Sequence, residues 1–311
     1  MKPAPFVHHA PRSLEEAVAV LGDVGHDGKI LAGGQSLIPI LNMRLASPAH
    51  LIDINRVAGL DSVEVTGEAV RVGALVRHAQ LERHEEAHGA LPLLRQALVC
   101  VAHPAIRNRG TTVGSIAHAD AAGEMPAILA LTDGVVEAAG PQGRRDIATG
   151  DFFQGPLETA LAEDEMATAV RFRLFPAGTA TAFAESARRH GDYAMAGVAA
   201  AVTVTDGVVR RALASFVSVT DVPSVLDLTD LLQGMEPVSA DWSTAAEAVR
   251  AHVEPEADIH ASAEYRRMLA GELARRVLAQ AAASALGQPA TTPHAATTPH
   301  AATTKDAARH D

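Results

Sequence analysis

Two adjacent glycines fed by an apolar pair constrain this chain more than any other stretch: Ile30-Leu31-Ala32-Gly33-Gly34-Gln35-Ser36-Leu37-Ile38-Pro39. The pattern reads as a buried strand that turns sharply beneath something approaching the backbone. Glycine has no Cβ to block such an approach and tolerates positive φ. Successive N–H groups bared in a turn of this kind form a concavity suited to an anion, a phosphate above all. A Gly-Gly pair after a strand also marks ordinary turns, so the stretch needs support from elsewhere in the chain. Two familiar phosphate motifs are excluded. Gly28-Lys29 is followed by Ile30 and lacks the glycine spacing of a Walker loop, and no G-x-G-x-x-G opens a helix after a strand.

At 311 residues the chain is long enough for two domains. Hydrophobic residues make up 48% and aromatics only 3%, so the interior must be built from Ala, Val and Leu. A net charge of −11 argues against nucleic acid as a partner. Cys100 is the only cysteine, which excludes an intrachain disulfide and an iron–sulfur cluster held by four thiolates of this chain. No signal-peptide core and no long apolar run for a membrane span are visible, and a cytoplasmic location is the expectation.

Pro5 to Pro11 reads as a short extended lead-in, with His8 and His9 expected to be solvated. Ser13 then opens a helix with Glu16 as its capping-box partner, and Leu14, Ala17, Val18 and Leu21 supply one apolar face. Leu37 to Leu45 predicts a short helix whose start points at the same anion as the glycines. A strand follows at Leu51–Asn55, then a hairpin of Val63–Val65 and Ala69–Gly73 around Thr66-Gly67-Glu68. Val76 to Val101 returns to helical spacing, with Pro92 able to begin a fresh helix. Met125 to Leu131 predicts a buried helix, Val135 to Ala138 a strand, and Val170 to Phe175 a half-exposed strand. Gly197–Val204 and Val208–Val219 read as antiparallel strands joined at Asp206-Gly207, and helices dominate from Trp242 to Leu286. The tail from Gln288 repeats Ala-Thr-Thr-Pro-His-Ala and is predicted to be disordered.

The support for the first turn lies in Arg107-Asn108-Arg109-Gly110-Thr111-Thr112-Val113-Gly114-Ser115-Ile116-Ala117-His118-Ala119-Asp120-Ala121-Ala122-Gly123-Glu124-Met125-Pro126, a second loop rich in small and hydroxyl residues. With its A-G-G-x-S turn, this loop ending in A-H-A-D, Gly191-Asp192-Tyr193 and the helix Ala263–Gly271, the chain resembles the FAD-binding medium subunit of the molybdenum hydroxylases. That group contains xanthine dehydrogenase and aerobic carbon monoxide dehydrogenase. The resemblance runs from about Pro5 to Leu286. Two positions differ from its commonest pattern: Val113 stands where the first of two glycines is usual, and Ser115 where Asn is common.

The resemblance implies an α+β fold. A two-subdomain FAD-binding domain of the p-cresol methylhydroxylase / vanillyl-alcohol oxidase type, residues 1–176, would be followed by a C-terminal antiparallel sheet plus helices, residues 177–287, of the carbon monoxide dehydrogenase flavoprotein type. It implies that Ala32, Gly33, Gly34, Gln35, Ser36 and Leu37 meet the diphosphate of one FAD together with Thr111, Thr112, Val113, Gly114, Ser115 and Ala117. Glu124, with Asp120 as a second candidate, would contact the ribose or adenine end. Asp192 and Tyr193 would lie at the isoalloxazine, with Arg188, Arg189 and His190 bringing positive charge nearby. No side chain of this chain is expected to act as acid, base or nucleophile. The molybdopterin cofactor would sit in a large partner subunit and 2Fe-2S clusters in a small one, assembled as a dimer of heterotrimers, with FAD passing electrons to an external acceptor.

Three other readings compete. His103, His118, Asp120 and Glu124 could serve a metal-dependent hydrolase, though without H-E-x-x-H spacing. A free-standing FAD oxidase would need a polar catalytic set over the flavin that the sequence does not offer. A flavin-less scaffolding subunit follows if Val113 spoils the second loop.

Overall fold

The computed structural model describes residues 2–287, so the tail expected to be disordered lies outside the described residues. The chain opens with β1 (Val7–His9), α1 (Leu14–Val24), β2 (Gly28–Leu31), α2 (Leu37–Met43) and β3 (His50–Asp53), a three-stranded parallel sheet in the order β1-β3-β2. Ser13 caps α1 by accepting from Glu16 N at 3.1 Å, while Glu16 Oε2 reaches back to Arg12 N at 2.7 Å. Ala17 and Leu21 are the buried face of that helix. Because β2 and β3 are parallel, their carboxyl ends open on the same side, where open parallel sheets take ligands. β2 leads there into the Ala32–Ser36 turn, and β3 into Asp53-Ile54-Asn55.

The hairpin β4 (Val63–Val65) and β5 (Ala69–Gly73) begins a second sheet. Six short helices follow it: α3 (His78–Glu82), α4 (Glu85–Ala90), α5 (Pro92–Leu98), α6 (Pro104–Arg107), α7 (Thr112–His118) and α8 (Glu124–Leu131). The helical spacing read over Val76–Val101 is thus divided among three helices, with Pro92 at the first position of α5, where its missing N–H costs nothing. The chain returns through β6 (Val135–Gly140), β7 (Gly143–Ala148), α9 (Thr149–Phe152), the small pair β8 (Phe153–Gly155) and β9 (Glu158–Thr159), and β10 (Met166–Arg173). These complete an antiparallel sheet in the order β4-β5-β10-β6-β7. The strand read at Val170–Phe175 as half-exposed is the central one. It begins at Met166, is bonded along both edges, and lets only Arg171 and Arg173 reach outward.

The third sheet contains β11 (Thr179–Ala187), β12 (Ala194–Thr205), β13 (Val208–Val217) and β14 (Val225–Asp227) in sequential antiparallel order. Asp206 and Gly207, at φ 54° and 78°, form the predicted turn between β12 and β13, a conformation matched to strand twist. After α10 (Thr229–Leu232), the helices α11 (Ser243–His252) and α12 (Ala263–Gly287) cover one face. Ala196, Val198, Ala200 and Val202 of β12 pack there against Ala270, Ala274, Val277 and Ala281 of α12. The alternate residues Phe183, Ala199, Leu213 and Val217 face the second unit. With both faces buried, β12 carries an almost unbroken apolar run rather than an alternation. The near-absence of aromatics in the sequence is met here by small side chains that let a long helix lie close on the sheet.

Candidate functional site

Gly34 turns the chain with φ +71°, a conformation only glycine adopts freely. Gln35 Nε2 donates to Gly33 O at 3.1 Å, Ile38 N to Gly34 O at 3.1 Å and Ile40 N to Ser36 O at 3.2 Å. These bonds occupy carbonyls. Among the described residues, the N–H groups of Gly33, Gly34, Gln35, Ser36 and Leu37 have no acceptor. The result is a run of five donors with nothing among the described residues to satisfy them.

The stretch read as a second loop is largely helical. Thr112, Val113, Gly114, Ser115 and Ala117 all lie within α7, and Thr111 is its N-cap, with Oγ1 accepting from Gly114 N at 3.1 Å. The departure at Val113 finds its explanation here. Its side chain is 2% exposed and packs into the core, and its φ is not positive, so the position needs neither glycine's freedom nor its smallness. Thr111 and Val113 keep N–H groups without an acceptor among the described residues, whereas Gly110 N is bonded to Ile106 O and Thr112 N to Val76 O.

A buried histidine bonds to this helix start, and a buried arginine lies near it. His78 N donates to Gly110 O at 2.9 Å and His78 Nδ1 lies 3.3 Å from Thr112 Oγ1. Burial, with nearby Arg107 adding to it, pushes the imidazole down to about 4, so it is neutral at physiological pH. Arg107 is paired with Glu82 at 2.8 Å and donates to Val101 O and Ala102 O at 3.1 and 3.0 Å. Sequence reasoning gave neither a role. A histidine among the helix-spaced apolar residues Leu75, Val76, Ala79 and Leu81 is the signal that could have found the first.

The two segments touch. A Cβ on Gly33 would stand 2.6 Å from Arg109 O, 2.8 Å from Gly110 Cα and 3.0 Å from Thr111 N. The first glycine is therefore demanded by the second segment and not only by a ligand. Beside the contact lies a cavity of about 460 Å³ walled by Leu31–Gln35, Ile38 and Pro39 on one side and by Asp53, Asn55, Ile106 and Arg109 on the other.

A second group of residues gathers near the far end of α7. Asp120 follows that helix and accepts from Ala122 N at 2.9 Å; Glu124 begins α8. Burial, with Asp120 adding to it, pushes Glu124 up to about 7. Glu185 of β11 faces it and is raised to about 8 by burial and by Glu124. Burial and these two carboxyls push Cys100 up to about 12, leaving it an inert thiol. Tyr193, 71% exposed, stands on the turn between β11 and β12. Its phenol is raised by partial burial, Asp120 and Glu124, which places it on the acidic side of the group. That turn is seated on α6: Gly191 has φ +87°, and a Cβ on it would lie 2.7 Å from the His103 ring. His103 and His190 stack with centroids 6.5 Å apart. Arg188 turns to His260 at 3.3 Å, while Arg189 and Asp192 are exposed.

So α7 joins the predicted residues: its start meets the Ala32–Leu37 turn, and its end leads to Asp120, Glu124 and Tyr193. The donors fit a dinucleotide. N–H groups without an acceptor among the described residues stand on both sides of the Gly33 contact, and the carboxyls of Asp120 and Glu124 lie about 10 Å on, one short helix away. By contrast, among the described residues His103, His118, Asp120 and Glu124 form no group of three ligand side chains, and no helix is long and apolar enough to cross a membrane.

Comparison with known proteins covers both halves of the chain. Residues 4–173 match the FAD binding domain in molybdopterin dehydrogenase, and residues 181–281 the carbon monoxide dehydrogenase flavoprotein C-terminal domain. The chain is 41% identical over 281 residues to the nicotine 6-hydroxylase medium subunit of Paenarthrobacter nicotinovorans, covering 90% of this chain and 98% of that one. It is 36% identical to the carbon monoxide dehydrogenase medium chain of Hydrogenophaga pseudoflava, covering 89% and 97%. Among solved structures, quinoline 2-oxidoreductase from Pseudomonas putida 86 superposes with a TM-score of 0.86 at 36% identity, over 92% of this chain and 100% of that one. With both halves matched in order and the donor-lined contact in place, the chain belongs to the family of FAD-binding medium subunits of the molybdenum hydroxylases.

Proposed function

We propose that this chain holds one FAD between the Ala32–Leu37 turn and the start of α7, and so connects the 2Fe-2S clusters of a small partner subunit to an external electron acceptor. The oxidised substrate, an N-heterocycle, carbon monoxide or an aldehyde, would meet a molybdopterin centre in a large partner subunit. Residues 1–176 would form the FAD-binding domain and residues 177–287 the C-terminal flavoprotein domain, within a cytoplasmic dimer of heterotrimers.

FAD supplies a carrier that accepts an electron pair and releases electrons one at a time or together. The chain's own part is placement. Backbone N–H groups of Gly33 to Leu37, with Thr111 and Val113, bind the diphosphate; small neighbours keep donors within about 2.9 Å of its oxygens. Thr112, Gly114, Ser115 and Ala117 carry the helix that presents the second set. Asp120 and Glu124 accept hydroxyl protons of the ligand, and Tyr193, held out on its turn beside Asp192, covers the ring. The single observation that carries this reading is the contact of Gly33 with Arg109–Thr111 beside a row of unsatisfied donors. The test is to isolate the chain with the subunits it assembles with and identify any flavin freed by acid. One FAD per chain is expected; a colourless assembly would overturn it.

A further inference from the structure

The two FAD-facing segments are joined by a relay of side chains that no backbone pairing explains. Asn55 Nδ2 donates to Ala32 O at 2.9 Å, Arg77 Nη2 donates to Asn55 Oδ1 at 2.6 Å, and Arg77 Nη1 donates to Arg109 O at 2.5 Å. Asn55 is itself fixed by Asp53 Oδ1, which accepts from its backbone N at 3.0 Å and its Nδ2 at 2.6 Å. The amide can face only one way: Arg77 has donors alone and Ala32 O accepts alone, so Nδ2 and Oδ1 are assigned by their partners.

The geometry points to Arg77 and Asn55 as a positioning clamp that sets the separation and orientation of the two diphosphate-binding segments, and through it the affinity for FAD. In a trans peptide the C=O and N–H lie on opposite edges of one plane. Holding Ala32 O on Asn55 therefore turns Gly33 N–H the other way, into the row of free donors. Arg109 O, held by Arg77, is the same atom against which Gly33 lies, 2.6 Å from where its Cβ would be. The clamp thus fixes the contact at its tightest point. A planar fork with two parallel donors suits that task, whereas an ammonium offers a single charge centre. Asn55 is exposed and Arg77 only half-buried. Each hydrogen bond then contributes only modestly to folding, and the variants are expected to fold.

This inference rests on FAD being the ligand. The test compares Arg77→Ala, Asn55→Ala, the double variant and Arg77→Lys in the full chain with its co-assembled subunits, stripped of flavin and titrated with FAD. Each single variant is expected to weaken FAD binding about tenfold, with the double no weaker than about tenfold because both act through one device. Arg77→Lys is expected to behave as Arg77→Ala, and the flavin-free melting temperature to stay within about 2 °C of the parent. Singles that bind FAD within about twofold of the parent, or a double weakened about a hundredfold, would overturn the clamp. So would a fall in melting temperature without loss of affinity, which would make the pair merely structural. A parent assembly that takes up no FAD would instead overturn the reading beneath it.

Discussion

Val113 and Gly33 show how one side chain can be misjudged from a pattern and correctly judged from its surroundings. Val113 lies in α7 with its isopropyl group buried in the core and no positive φ, while its N–H keeps no acceptor among the described residues. Val113→Gly is expected to cost about 2–3 kcal/mol of stability, from a core cavity and from glycine's poor helix propensity. FAD affinity should stay within about twofold, since the donor is unchanged. Denaturant melts of the flavin-free chain and a flavin titration measure the two separately; a marked gain in affinity would show that the side chain does obstruct the ligand. Gly33→Ala makes the opposite case. Its methyl would meet Arg109 O at 2.6 Å, backbone rather than a flexible tip. The segments must then separate, and flavin occupancy is expected to fall at least about tenfold. The sequence made both positions visible, but not their directions. Which way a side chain points at a helix start depends on how α7 lies against the second sheet, and that information is non-local.

At the scale of elements, the hydroxyl-rich second segment was legible as important but not as helix. Thr, Ser and Gly in a row suggest a loop because each competes with helical bonding or weakens it. Here Thr111 uses that same tendency to start α7, its Oγ1 taking the Gly114 N–H. Thr111→Ala is expected to lower stability by about 1 kcal/mol and Thr111→Ser to restore it. FAD binding should weaken with the first and recover with the second, because fraying of this turn removes the fixed placement of the Val113 donor. Equal flavin affinity in all three would separate the cap from the site. β11 was not legible at all. Thr179–Ala187 has alanine at four of its nine positions and a glutamate at Glu185, which dilute the strand preference of its two Thr and Phe183, and it is a strand because β12 pairs with it along its length. Ser13, Pro92 and Asp206-Gly207 were readable for the opposite reason: capping and turn chemistry are decided within four residues of chain.

In the molecule as a whole, the third sheet closes on the second unit along a seam of polar as well as apolar contacts. Ser215 Oγ donates to Ala127 O at 2.9 Å, and Gln96 Nε2 donates to Thr181 O at 3.0 Å. Glu185 reaches the same seam across Gly197, where a Cβ would be 3.2 Å from its own. Its Oε2 has no hydrogen-bond partner among the described residues, and it faces Glu124, with Cys100 alongside. Both carboxyls are harder to ionise in the folded chain than in the unfolded one, so the folded chain binds more protons between the ordinary value of 4.5 and the raised value of about 8. Stability must then fall as pH rises through that window, the reverse of the usual carboxylate behaviour. Glu185→Gln removes one of the two charges and supplies an amide donor toward Glu124. It is expected to flatten the slope and to raise stability at pH 8 by on the order of 2 kcal/mol, with little change near pH 5. Melting curves of parent and variant across that range decide the matter. Parallel curves would mean that the pair is hydrated and titrates normally. If FAD binds as proposed, with Glu124 at its hydroxyls, the flavin-loaded parent should lose part of the slope as well, because Glu124 then gains a donor for its ionised form.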